Sequence, residues 1–385
     1  MRFIHTSDWH LGRAFHQVGL LDAQQDYLDH LVEVVRSEKV DAVLVAGDVY
    51  DRAMPAPDTV AVLSDALLRL VDAGAEVVIS GGNHDSAIRL GFASGLLERA
   101  GLHVRTSLAD LARPVVIADT AVFAVPYLEP RLVAAELEAP ATHAGVLQAA
   151  LARIRDGGRV DGASTTVVMA HTFVTGAATS DSERDILSGG LAAVHPSVLD
   201  GFSYAALGHL HGRQQVAETA RYSGSPLAMS FSEVHHVKGS LLVDLTPRGS
   251  AIEVVEAPVR RRLATLRGRI DDLLTSREHA EAEDAWCQVT LTDPQRPLGA
   301  MDRLRARFPH TLELRFDPEG VSTVAASYRS RVSERSDLDV CCDFLGHVRG
   351  GTPATEEETA LLDEAIGRSR ERRAVRADEG QVGAA

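Results

Sequence analysis

Up to roughly position 250, short continuous apolar runs alternate with longer stretches in which apolar residues recur every three or four positions. That alternation marks an α/β layered domain. The runs predict strands at Phe3–Thr6, Ala42–Ala46, Val77–Ser80, Thr166–Ala170 and Tyr204–Leu207. They are short and rich in Val, Ile and Ala, as strands buried on both faces are. Helical spacing predicts helices at Gln24–Ser37 and Asp58–Ala73. Ser240–Leu245 and Ala251–Glu256, flanking Thr246-Pro247-Arg248-Gly249, predict a hairpin.

The texture changes after Pro258. Arg260, Arg261, Arg262, Arg267 and Arg269 cluster there. A helix is predicted near Ile270–Glu283, a strand near Trp286–Thr292, a helix near Leu298–Phe308 and a strand near Thr311–Phe316. This order predicts a core over residues 1–258 and a small α+β domain over 259–330. A Ser- and Arg-rich linker, Ser327–Ser336, opens a third region, 331–373, which carries two helices. In the first, Leu338, Cys341, Phe344, Leu345 and Val348 share one face. Thr355 and Glu358 form a capping box before Leu361, Leu362, Ala365 and Ile366 of the second. Residues 374–385 are polar and Ala-rich, and disorder is expected there.

A length of 385 residues and 45% apolar content fit two or three globular units. No apolar run approaches the roughly 18–20 residues of a membrane span. The strand-like Met1–His5 lacks the basic flank and apolar stretch of a signal peptide. Cys287, Cys341 and Cys342 are odd in number and not spaced for zinc, so they read as reduced thiols and a cytoplasmic location is expected. A formal charge of −15 argues against a passive nucleic-acid coat. A nuclease stays open, because bound divalent cations supply positive charge locally. Lysine occurs only at Lys39 and Lys238, a bias that base composition explains without a functional demand for guanidinium groups.

The chemistry is concentrated where the predicted strands end. Asp8-Trp9-His10 follows the first, Gly47-Asp48 and then Asp51 the second, and Gly82-Asn83-His84-Asp85 the third. His171 follows the fourth and Gly208-His209-Leu210-His211 the fifth. Ligands of open α/β sheets gather at the carboxyl ends of strands, so these clusters should converge. In extended backbone, residues two apart point to one side, which pairs Asp8 with His10 and His209 with His211. Carboxylate, amide and imidazole donors without thiolate suit manganese, iron or zinc better than calcium. The set is too large for one ion and suits two sharing a bridging carboxylate, the usual device for phosphodiester hydrolysis. Each motif alone is weak: Asn-His-Asp can be turn chemistry, and a lone His171 is more often a satisfied core histidine. All of them in order, each at a strand end, leave little room for that reading.

In these motifs the chain resembles the calcineurin-like metallophosphoesterases, and within them the SbcD-type nuclease subunits related to Mre nucleases. The closest wording is His5-Thr6-Ser7-Asp8-Trp9-His10-Leu11-Gly12, Val45-Ala46-Gly47-Asp48-Val49-Tyr50-Asp51 and Gly81-Gly82-Asn83-His84-Asp85-Ser86. The resemblance implies a layered β-sandwich flanked by helices, a capping domain and a C-terminal helix pair. It assigns one ion to Asp8, His10, Asp48 and His211, and the second to Asp48, Asn83, His171 and His209. Manganese is the expected ion, with magnesium, iron and zinc compatible, and the nucleophile a metal-bound water. His84 would face the scissile phosphate, with Asp85 holding its ring. Position 51 is aspartate, as in bacterial relatives, and its role stays open between orienting a ligand and facing DNA.

The implied activity is exonuclease on duplex DNA and endonuclease on single-stranded or hairpin DNA, in repair, recombination and replication. The implied partners are DNA, an SbcC-like coiled-coil ATPase in a complex with two copies of each subunit, and a second copy of the chain through the core. Arg13, His16 and Arg89, in loops beside the motifs, are candidate DNA contacts; the 260–269 arginines face either phosphates or solvent. Leu338, Phe344, Leu345, Val348, Leu361 and Leu362 are candidate docking residues for the ATPase. A stand-alone phosphodiesterase acting on nucleotides is the alternative enzyme. A non-catalytic scaffold is disfavoured because every expected ligand is present.

Overall fold

The computed structural model describes residues 1–183, 194–319, 336–349 and 351–381. The first strands and helices in chain order are β1 (Arg2–Thr6), the small hairpin β2 (Ala14–Phe15) and β3 (Val18–Gly19), α1 (Leu21–Glu38), β4 (Ala42–Ala46), α2 (Pro57–Asp72), β5 (Glu76–Ser80) and β6 (Leu102–Arg105). Next come β7 (Val115–Ile117), β8 (Thr120–Val125), α3 (Pro130–Leu137), α4 (His143–Asp156), β9 (Thr165–His171), β10 (Tyr204–Gly208), β11 (Gln214–Gln215) and β12 (Ala220–Tyr222). The hairpin β13 (Gly239–Thr246) and β14 (Gly249–Glu256) follows.

Two six-stranded sheets form the core, in the orders β14-β13-β1-β4-β5-β6 and β11-β12-β10-β9-β8-β7. Strands β1, β4, β5 and β6 run parallel, as do β8, β9 and β10. The predicted hairpin is present: β13 pairs antiparallel with β14 and also with β1. The period-2 alternation of β4 shows why these strands are apolar throughout. Ala42, Leu44 and Ala46 pack between the sheets with Phe3, Val78, Met169, Tyr204 and Ala206. Val43 and Val45 face the other way, against Tyr27, Leu28, Leu31 and Leu70 of α1 and α2. Helices α3 and α4 cover the outer face of the second sheet through Leu137, Val146, Leu147 and Leu151. The layered α/β sandwich expected from the sequence is therefore the observed one. His5 ties the layers: its Nδ1 meets the Tyr204 hydroxyl at 3.0 Å and its Nε2 the Leu207 carbonyl at 3.1 Å. Burial lowers its pKa to about 3, so the ring is neutral.

Past Pro258 come β15 (Leu263–Gly268), α5 (Ile270–Thr275), β16 (Trp286–Leu291), α6 (Ala300–Arg307) and β17 (Thr311–Phe316), with a three-stranded sheet in the order β15-β16-β17. The helix expected to reach Glu283 stops at Thr275. Ser276 is extended and its side chain caps a separate 3-10 turn, Arg277–Ala282, by accepting from the Glu278 amide. The helix pair is α7 (Asp337–Val348) and α8 (Glu356–Gln381). The Thr355/Glu358 capping box forms, with the Thr355 amide 2.9 Å from the Glu358 carboxylate. Ser336 and Asp339 make another at the start of α7. The backbone of α8 runs past Arg373 to Gln381, where a disordered tail was the expectation; Arg, Ala and Glu are good helix formers.

The linker Ser327–Ser336 lies outside the described residues except for Ser336. The chain divides into two compact units. The first joins Met1–Arg267 with Asp271–Thr290 and Gly299–Arg315, and the second holds Gly268–Ile270, Leu291–Leu298 and the chain from Phe316 onward. No helix of the described residues is long and apolar enough to cross a membrane.

Candidate metal centre

Strands β1, β4 and β5 of the first sheet and β9 and β10 of the second deliver their trailing residues to one place. Ligand atoms of Asp8, His10 and His211 lie within 4.8 Å of one another, as do those of Asp8, Asp48 and His171 and those of His10, Asp48 and His84. His10 Nε2 is 3.1 Å from His211 Nε2 and 3.5 Å from Asp48 Oδ2. On the other side, His171 Nε2 is 3.4 Å from the same Asp48 oxygen and 2.9 Å from Asn83 Oδ1. His209 joins through its Nδ1, 3.3 Å from Asn83 Oδ1. Asp48 Oδ2 therefore lies between His10 of one predicted group and His171 of the other.

The backbone is strained to achieve this. Asp8, His10, Asp48 and His209 have φ of 54°, 44°, 51° and 103°, a left-handed region that costs non-glycine residues on the order of 1–3 kcal/mol each. The Asp8 turn is fastened by its amide donating to the Gly47 carbonyl at 3.0 Å, and its carboxylate accepts from the His209 amide at 3.1 Å. Space is the second constraint. A Cβ on Gly82 would collide with the Asp48 amide and carboxylate, and one on Gly208 with the Ala46 carbonyl.

The donors fit divalent cations. His171 Nδ1 faces the Ala46 carbonyl at 2.9 Å; a carbonyl only accepts, so Nδ1 carries a proton and, in the neutral ring, Nε2 is the nitrogen left to ligate. His10 Nδ1 is buried with no hydrogen-bond partner among the described residues, its nearest acid being Asp51 Oδ1 at 3.6 Å. Burial brings the His10 pKa down to about 4 and depresses His209 and His211 as well, the neutral form that ligation needs. Burial pushes Asp8 up to about 7. Burial would also raise Asp48, but His171 and His10 hold it well below the carboxylate range. Asp48 in turn lifts His171 to about 9 against burial, so a cation there must compete with a proton.

Asp85 stands differently from expectation. The His84 amide donates to Asp48 Oδ1 at 2.8 Å, and its Nδ1 donates to the backbone carbonyl of Asp51 at 2.7 Å. The expectation that Asp85 holds this ring is corrected by where its carboxylate is spent. It accepts from the amides of Tyr50 (2.9 Å), Gly82 (2.9 Å) and Val49 (3.1 Å), so it clamps the β4 loop to the β5 loop. Asp51 faces two of the site histidines, its carbonyl accepting from His84 at 2.7 Å and its carboxylate lying 3.6 Å from His10 Nδ1.

The candidate DNA contacts are engaged within the protein. Arg13 donates to the Ser182 carbonyl at 3.0 Å and lies 3.5 Å from Asp51. His16 is 3.7 Å from Glu313, and Arg89 donates to the Ala53 carbonyl at 3.3 Å. Arg260 pairs with Asp22 and Asp26, and Arg269 with Glu319. Of the docking candidates, Phe344, Val348 and Leu361 are exposed, while Leu338, Leu345 and Leu362 are half-buried. Sequence reasoning missed Ser182, Glu183, Glu233 and Lys238, which surround His211. The one available signal was Lys238 itself, one of only two lysines in a chain whose other basic side chains, histidine aside, are arginine.

Residues 1–213 match the family model for calcineurin-like phosphoesterases, and the chain belongs to that family of metal-dependent phosphoester hydrolases. A second model, SbcD_C, described as the type 5 capsule protein repressor C-terminal domain, matches residues 259–349. Among solved structures, the chain is similar to a dimetal phosphatase from Danio rerio at 14% identity, covering 66% of this chain and 98% of that one with a TM-score of 0.37. It is also similar to GAP50, the anchor in the inner membrane complex of Plasmodium, at 10% identity, covering 83% and 98% with a TM-score of 0.40.

Proposed function

We propose that this chain is the nuclease subunit of an SbcC/SbcD-type complex: a two-metal DNA exonuclease on duplex ends and endonuclease on single-stranded or hairpin DNA. It acts with a coiled-coil ATPase in repair, recombination and replication. The observation that carries the reading is the joint occurrence of clustered Asp and His side chains between residues 8 and 211 and a C-terminal region, 259–349, that matches the SbcD_C model. One ion would be held by Asp8, His10, Asp48 and His211, the other by Asp48, Asn83, His171 and His209, with manganese the expected ion. When bound, the pair supplies Lewis-acid charge at the phosphate and lowers the pKa of water. Because His84 Nδ1 carries the proton donated to Asp51, its Nε2 is the nitrogen that exchanges one. That Nε2, 4.0 Å from Asp48 Oδ2, is the atom from which a leaving oxygen would take its proton.

Large apolar side chains at Met54, Ile88, Phe92 and Leu96 are 70–88% exposed, and the last three are spaced by four. Such exposure supports a homodimer through the core. One observation favours the rival, a stand-alone phosphodiesterase for nucleotides: Arg13, His16 and Arg260 already face carboxylates. Manganese-dependent assays on duplex, single-stranded and hairpin DNA, with and without a coiled-coil ATPase, test the choice. Cleavage of a chromogenic diester with no action on any DNA, in either condition, would select the rival.

A further inference from the structure

His211 is gripped at three points by groups outside the predicted ligand set. Its ring Nδ1 is 2.5 Å from the Ser182 hydroxyl, its amide donates to Glu183 Oε1 at 2.8 Å, and its carbonyl accepts from Lys238 Nζ at 2.8 Å. Ser182 in turn donates to Glu233 Oε1, and Glu233 Oε2 pairs with Lys238. The side chains of Glu233 and Lys238 are 0% and 7% exposed. Lys238 also donates to the Ser225 hydroxyl at 3.0 Å, and Glu233 accepts from the Met229 amide at 3.4 Å and the Ser180 hydroxyl at 3.3 Å.

A buried ion pair recovers little net stability, because desolvating both charges offsets their attraction. This one is placed to do something more specific. A hydroxyl has one proton. If Ser182 gives it to Glu233, Ser182 can only accept from His211, which puts the imidazole proton on Nδ1 and the lone pair on Nε2. That Nε2 is the atom 3.1 Å from His10 Nε2. The charge of Glu233 thus sets the His211 tautomer through Ser182, and Lys238 neutralises that charge while anchoring the His211 backbone. Local sequence supports the placement: Ser230 caps the 3-10 turn Phe231–Glu233, and Lys238 stands just before β13.

We propose that Glu233 and Lys238, acting through Ser182, are positioning residues that hold His211 as an Nε2 donor for one of the two metal sites. The inference rests on the two-metal reading above, and two measurements separate them. Nitrogen-15 spectra of the metal-free protein should show His211 protonated at Nδ1, and Ser182→Ala or Glu233→Gln should shift its tautomer balance; this readout involves no metal. Calorimetric Mn²⁺ titration should then show the site using His211 weakened by about 10- to 100-fold in both variants, with the Asn83/His171/His209 site unchanged. Lys238→Arg, which keeps the charge, should retain more affinity than Lys238→Met.

If Glu233→Gln fails to fold, Ser182→Ala, which removes a single hydroxyl, carries the test. An unchanged His211 tautomer, or equal weakening of both sites, overturns the positioning role. A wild-type protein with the expected tautomer that binds no Mn²⁺ overturns the two-metal reading instead.

Discussion

His84 and its neighbours show how much of the site turns on backbone atoms that no motif encodes. The ring is directed by the Asp51 carbonyl at 2.7 Å, so a change of the Asp51 side chain leaves that contact in place. His84→Ala should therefore lower phosphodiester cleavage by roughly 10²- to 10⁴-fold, the range for losing a general acid. Elemental analysis should still find the wild-type metal content; loss of metal would make His84 a ligand instead, a role its proximity to His10 and Asp48 permits geometrically. Gly82 poses the opposite case. A methyl there meets the Asp48 amide and carboxylate, so Gly82→Ala should displace that carboxylate and, on the two-metal proposal, weaken both ions together in a Mn²⁺ titration. The candidate ligands stand out in the sequence because each cluster follows an apolar run. The left-handed conformations of Asp8, His10, Asp48 and His209 were not, since nothing local distinguishes a strained aspartate from a relaxed one.

At the level of elements, legibility followed burial. Strands β4 and β17 match their predicted limits, and β1, β5, β9 and β10 differ by a residue or two, helped in β4, β5 and β9 by runs rich in buried valine. Strands β6 to β8 and helices α3 and α4 were not singled out; they end in no cluster of metal donors. The Ile270–Glu283 helix was read too long because Ser276 leaves the helix locally, a preference that periodicity overlooks. The stretch just after the Asn83-His84-Asp85 motif carries three exposed large apolar side chains. Ile88 and Phe92 are 88% and 80% exposed, and Leu96 is 70% exposed. Homodimerisation through the core would bury them. Phe92→Glu should then shift the protein to a monomer in sedimentation while its melting temperature stays within a few degrees, since the residue contributes little to the monomer core. An unchanged sedimentation coefficient would place the dimer contact elsewhere.

For the whole molecule, the question is which parts are needed for folding and which for assembly. A charge of −15, with Arg13 and Arg260 already facing carboxylates, leaves the bare chain poorly equipped to hold DNA by phosphate contacts alone. Bound cations and a partner would supply what is lacking. The helix pair is the natural candidate for the partner surface. Among the described residues the last buried apolar side chain is Phe308, and α7 contains no buried residue. The pair holds itself together by Cys342 against Thr359 and by Arg349 donating twice to Glu358, at 2.8 and 2.9 Å. Half of the stripe, Leu338, Leu345 and Leu362, is partly covered, while Phe344, Val348 and Leu361 are 54–61% exposed. Helix-in-groove docking places a few such side chains at the centre of the affinity, with the aromatic Phe344 foremost. Ending the chain after Ser336 should therefore leave the melting temperature within about 2–4 °C of the full chain, the effect of a change of about 1 kcal/mol. Both metals should still bind and weak cleavage of simple DNA substrates should persist, while co-purification with a coiled-coil ATPase is lost. Phe344→Ala in the full chain should reproduce most of that loss. Unchanged ATPase binding by the truncated chain would move the docking surface elsewhere, and failure to fold would show that the pair serves the core rather than a partner.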